Sequence, residues 1–172
     1  MNIVVYDNQN NEITDMTSFD IFTREEKRLF KAIKKEYVAS RMSKAPLGKI
    51  IALKGFNNLF VSGENGAAPL ICNKETIGAW EKFEVIDAGG GKIALKSEGK
   101  YLSSENGNGP MNCNRTSIGD WEKFDWLENA DGTISVRGSN YFNVSIENEN
   151  GPLTCNKSSL GAREKFTVQI IQ

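Results

Sequence analysis

From Lys49 to the end of the chain, short apolar runs alternate with clusters of Gly, Asn, Ser and Pro. Between Lys92 and Glu128 this pattern predicts four strands: Ile93–Lys96, Tyr101–Ser104, Met111–Asn114 and Glu122–Leu127. Gly99, Glu105–Pro110 and Thr116–Gly119 supply the turns between them. Alternation inside the last strand puts Phe124 and Trp126 on one face and Asp125 on the other, as a half-buried strand requires.

The same pattern occurs three times. Cys72, Cys113 and Cys155 are spaced by 41 and then 42 residues, and so are Phe83/Phe124/Phe166, Pro69/Pro110/Pro152 and Gly78/Gly119/Gly161. The matching face of the final strand is Phe83 with Val85, then Phe166 with Val168. Repeats therefore span 49–88, 91–129 and 132–172, inside a domain running from 48 to 172. One copy is too small to bury its own apolar face, so three copies of four strands must share a core. A closed barrel capped by hairpins meets that need and leaves few open edges. The expected class is mainly β, a single β-trefoil, with an open solenoid of three units as the alternative.

Residues 1–47 form an extension outside the repeats. Asn2–Tyr6 reads as a strand, and Thr23-Arg-Glu-Glu26 is a capping box opening a helix over about 23–42. Phe22, Leu29, Phe30, Ile33, Tyr37 and Val38 line one face at helical spacing. Seven basic and three acidic residues between Arg24 and Arg41 make the outer face positive. Three readings are open for this helix. It docks on the repeat domain, it pairs with a partner or a second copy as a dimerisation arm, or it lies on an anionic membrane. The polar stretch Ser43–Gly48 is the expected hinge.

Composition narrows the function. Net charge is −1, which argues against a general grip on nucleic acid. No apolar run reaches membrane-spanning length, and the N-terminal residues carry no secretory pattern, so a cytoplasmic location is expected. The chain has no histidine, which removes Ser-His-Asp and Cys-His catalysis and the usual zinc sites. No cofactor and no metal are expected. The three cysteines occupy one position per repeat. Core packing is the first expectation for them, with convergence of three thiolates on a metal as the alternative. Glu81, Glu122 and Glu164 also recur, and a shared hydrogen bond to backbone explains them better than catalysis does.

The segment GKYLSSENGNGPMNCNRTSIGDWEKF resembles the fascin-like trefoil family, over about 120 residues from Lys49 to Gln172 in three copies. That resemblance implies the trefoil fold and a non-enzymatic binding role. The family includes actin-bundling proteins and modules attached to glycoside hydrolases. The run PLICNKETIGAWEKF is closer to the hydrolase-associated modules, which implies carbohydrate binding through the trefoil loops. An F-actin or other protein partner is the alternative. Ricin-type sugar pockets do not carry over, because Gln-x-Trp is replaced by Glu81-Lys82-Phe83 and its two counterparts. Within the repeats, Trp80 and Trp121, matched by Arg163, are candidate ligand contacts, since flat aromatic faces suit sugar rings. Asn73, Asn114 and Asn156 are further candidates through their amides, although asparagine also serves turns.

Overall fold

The computed structural model describes residues 24, 25, 27–29, 31–33 and 44–172. The chain divides into two units, residues 1–37 and 38–172. In the first, the described residues 24, 25, 27–29 and 31–33 are helical, and they include Leu29 and Ile33. The expected strand at 2–6, the capping residues Thr23 and Glu26, and Phe22, Phe30, Tyr37 and Val38 lie outside the described residues. Among the described residues no helix is long and apolar enough to cross a membrane.

Among its described residues the second unit has twelve strands. The first repeat gives β1 (Ile50–Lys54), β2 (Phe60–Ser62), β3 (Ile71–Lys74) and β4 (Phe83–Gly89). The second gives β5 (Lys92–Ser97), β6 (Lys100–Ser103), β7 (Asn112–Arg115) and β8 (Phe124–Glu128). The third gives β9 (Ile134–Gly138), β10 (Asn143–Ser145), β11 (Thr154–Lys157) and β12 (Thr167–Ile170). The outer strands of each repeat form a barrel through the antiparallel pairs β1–β4, β4–β5, β5–β8 and β8–β9. The Ile134–Phe166 bridge joins the third repeat's strands, and β12 pairs with β1 to close the circle. The inner strands form three hairpins, β2–β3, β6–β7 and β10–β11. The closed barrel replaces the open solenoid, and the fold is a β-trefoil.

Alternation explains the core. Leu53, Leu95 and Val136 from the barrel, then Val61, Leu102 and Val144, then Leu70, Met111 and Leu153 from the hairpins, surround an axial void of only about 10 Å³. Each trio holds one residue per repeat, so three incomplete faces become one packed interior. Backbone hydrogen bonds tie the hairpins together in a ring. Leu70 N–H donates to Met111 O, Met111 N–H to Leu153 O and Leu153 N–H to Leu70 O, all at 2.9 Å.

The predicted strand starts of the second repeat shift by one residue at β5, β6 and β7 and by two at β8. Glu122 was expected to open the last strand of its repeat, but it lies in a 3-10 turn, Asp120–Glu122, and β8 begins at Phe124. The cause is local. The Glu122 carboxylate accepts the Gly119 N–H at 2.8 Å and holds the turn closed. Glu81 and Glu164 do the same for Gly78 (2.8 Å) and Gly161 (2.7 Å). All three glutamates are buried, which accounts for their recurrence.

The cysteines are buried too. Cys72, Cys113 and Cys155 each donate a thiol hydrogen bond to a hairpin carbonyl, of Leu59 (3.1 Å), Lys100 (3.3 Å) and Phe142 (3.2 Å). Burial pushes each thiol up to about 11. The slots around them interlock between repeats. A Cβ on Gly55 would lie 2.4 Å from Ile146 Cδ1 and 2.8 Å from Cys72 Sγ, and Ile146 has no exposed surface into which to retreat. Gly55→Ala is therefore expected to destabilise the fold by about 1–3 kcal/mol through overpacking. Removing the clashing methyl with Ile146→Val should shrink that loss. Urea unfolding of both single variants and the double variant measures the coupling; strict additivity would refute the contact.

Candidate functional site

The sequence places Trp80, Trp121 and Arg163 at one repeat position, and the structure shows why the backbone there is constant while the side chain varies. The carbonyl of Trp80 accepts the Gly63 N–H, that of Trp121 the Ser104 N–H and that of Arg163 the Ile146 N–H, at 2.8, 2.8 and 3.0 Å. Architecture uses only the main chain. The two indoles are 43% exposed, far more than a core tryptophan such as Trp126 at 6%.

The three side chains have different surroundings. Trp121 borders an open cleft of about 520 Å³ lined by Ala88, Gly89, Gly90, Lys92, Asn106, Asp120, Lys123 and Ser139. Its walls come from the β4–β5 turn, from the left-handed turn Glu105–Gly107, and from the β9–β10 turn of the next repeat. That last turn is fastened to the cleft floor, because Ser139 Oγ donates to Lys123 O at 3.2 Å.

A related cleft of about 440 Å³ lies one repeat earlier, lined by Ile50, Ala79, Lys82, Glu84, Lys96, Glu98 and Gly99. Ala79 and Ile50 there correspond to Asp120 and Lys92, so the earlier cleft is less polar at those two positions, while Lys82 matches Lys123 and Glu98 stands where the later cleft has Ser139. Trp80 is not among its lining residues. At the third position the guanidinium of Arg163 lies 5.5 Å from the centre of the Phe56 ring and donates to Glu147 O. Phe56 sits in the β1–β2 turn, the counterpart of the turn carrying Ser139. A cation–π contact thus occupies the place that is open beside Trp121.

The asparagine candidates do not converge with the tryptophans. Asn73, Asn114 and Asn156 lie on β3, β7 and β11, and none lines either cleft. Asn114 and Asn156 sit under the turn of the preceding repeat. A Cβ on Gly66 would lie 3.2 Å from Asn114 Cα, and one on Gly107 3.6 Å from Asn156 Cβ. The basic residues beside them are also engaged within their own repeat. Lys74 pairs with Glu64 at 2.8 Å, Arg115 with Glu105 at 2.6 Å and Lys157 with Glu147 at 2.8 Å.

Among the described residues, no group of three or more acidic, cysteine or histidine side chains is placed to hold a metal ion. Sequence reading missed Lys92, Asn106, Asp120, Lys123 and Ser139 as neighbours of Trp121. Comparison of the copies position by position cannot reveal a cleft whose walls belong to two copies.

No known family model matches the sequence, and no curated protein matches it either. Solved structures do resemble the fold. A designed threefold-symmetric protein, ThreeFoil, superposes with a TM-score of 0.63 at 18% identity, over 69% of this chain and 96% of that one. The BEL β-trefoil gives 0.63 at 12% identity, over 74% and 96%. A lectin from Polyporus squamosus, bound to a sialylated trisaccharide epitope, gives 0.64 at 12% identity over 74% of this chain and 50% of that chain. This chain thus spans about half the length of that lectin. At such identities the likeness is one of fold.

Proposed function

We propose that the chain is a non-enzymatic carbohydrate-binding module, of the fascin-like kind its repeats resemble, and that it takes its ligand in the Trp121 cleft. One observation carries this reading: a half-exposed indole stands at the edge of an open cleft that also holds Asp120, Asn106, Ser139, Lys92 and Lys123. An aromatic face receives the C–H face of a pyranose, while the acceptors and donors around it suit the ring hydroxyls. The cleft carries both signs of charge, which fits a neutral polyhydroxyl ligand better than an anion. The lectin structure that shares this fold is in keeping with a binding role. The fold alone does not decide function, so the weight rests on the cleft.

A glycan array followed by calorimetric titration tests the proposal. Trp121→Ala is expected to weaken binding of any glycan hit at least about tenfold, which corresponds to about 1.4 kcal/mol. Stability should change little, because the main-chain carbonyl used by Ser104 remains. Blank arrays together with no retention on insoluble glucans would remove the proposal. Co-sedimentation with F-actin in the same preparation would replace it with a cytoskeletal role.

A further inference from the structure

The turn between β9 and β10 holds an aromatic residue where backbone geometry disfavours one. Tyr141 has φ 66°, in the left-handed region, where a bulky side chain is strained. In the first repeat the same turn position is Asn58, φ 61°, a residue type that tolerates this geometry. The second repeat uses a shorter turn with Glu98 and Gly99 at φ 47° and 78°.

The strain at Tyr141 is imposed by its surroundings. Tyr141 N–H donates to Gly138 O at 3.0 Å and Gly138 N–H to Phe142 O at 2.9 Å. Asn140 accepts the Phe142 N–H at 3.1 Å and donates to Cys155 O at 2.9 Å. The side chain gains little packing in exchange, since Tyr141 is 76% exposed, and the adjoining Phe142 is 41% exposed. Tyr141 does not itself line the Trp121 cleft, but its turn does through Ser139, two residues away and bonded to Lys123 O, so the exposed ring stands just outside the cleft's edge.

We propose that Tyr141 is a ligand-contacting residue that extends the Trp121 cleft into a site for an oligosaccharide, taking a sugar ring beyond the one that meets the indole. This rests on the carbohydrate reading above. The polar walls hold the first ring, and the exposed phenol ring stacks on the next. The ligand class is therefore a linear saccharide of at least two rings.

The test uses the full chain and the variants Tyr141→Asn, Tyr141→Gly and Tyr141→Phe, with Trp121→Ala as reference. Probes are galactose and glucose, and β-linked galacto- and gluco-oligosaccharides of two to six rings. Tyr141→Asn and Tyr141→Gly are expected to raise Tm by about 2–4 °C, because the backbone strain is relieved. They should leave monosaccharide affinity unchanged and lower oligosaccharide affinity about tenfold. Tyr141→Phe should behave as the parent. A merely structural tyrosine would not give a stability gain together with a chain-length-dependent affinity loss. If Trp121→Ala abolishes binding while Tyr141→Asn keeps the full gain with chain length, this inference falls and the cleft reading stands. If affinity in the parent does not rise with chain length, the inference also falls. If no saccharide binds the parent at all, both fall.

Discussion

Truncating Phe124 to alanine will cost about 3–5 kcal/mol of folding stability, and the same change at Phe83 or Phe166 will cost a similar amount. Each ring is essentially without exposed surface; Phe83 and Phe124 begin the last barrel strand of their repeats, and Phe166 immediately precedes β12. The surroundings are equivalent as well. Phe83 is paired with Ile51 on β1, Phe124 with Ile93 on β5, and Phe166 is bridged to Ile134 on β9. Since domains are typically stable by only about 5–15 kcal/mol, a single truncation removes a large fraction of the total. Urea denaturation with an unchanged m-value for each variant is the measurement. A loss below about 1 kcal/mol at any one of the three would mean that its repeat packs more loosely than the ring of equivalents implies.

Asp125 is the second large effect, and it adds a pH dependence. It is a buried carboxylate on the outer side of β8, bonded to Lys92 at 2.9 Å and to Arg137 at 3.0 Å (Nε) and 2.8 Å (Nη2). Burial alone would raise its pKa; hydrogen bonds from Lys92 and then Arg137 outweigh that and hold it below the ordinary 3.8. Asp125→Ala leaves two partly buried cations without this partner and is expected to cost about 2–3 kcal/mol, somewhat less than a fully buried pair.

The sign of the pH effect follows from linkage. A carboxylate with a depressed folded-state pKa stabilises the fold above its unfolded pKa, and that contribution is lost as pH falls through the folded value. The gap between the parent and Asp125→Asn should therefore be full at pH 6 and narrow progressively below about pH 4. A gap constant from pH 6 to pH 2.5 would contradict the ion triad. Because the carboxylate is shielded, moderate salt should change the gap little.

The barrel was legible in the sequence because its causes are repeated. Four landmark columns at spacings of 41 and 42 residues, together with period-two alternation, leave few ways to share a core. The thiol slots and the recurring glutamates were legible for the same reason: each satisfies a backbone demand three times over. The cleft was not. Ser139 and Trp121 belong to different repeats, and Asn106 comes from a turn 15 residues before Trp121 in sequence. They meet only because the trefoil sets the hairpin of one copy against the 3-10 turn of its neighbour.

The asparagine column is a candidate by residue type; Asn114 and Asn156 lie against the preceding copy's turn yet are exposed, and none of the three lines either cleft. Tyr141 was not singled out in the sequence, because a tyrosine in place of Asn58 becomes informative only with the backbone dihedral that strains it.

The ring through Leu70, Met111 and Leu153 has a consequence for copy number. Every donor in it looks to the following copy and every acceptor to the preceding one, so a lone copy has no satisfied version of this contact and two copies would leave the ring open. Trp121, Arg163 and Tyr141, where the copies differ, contribute no group to this ring, so one lobe can change its surface without touching the closure on which its neighbours depend.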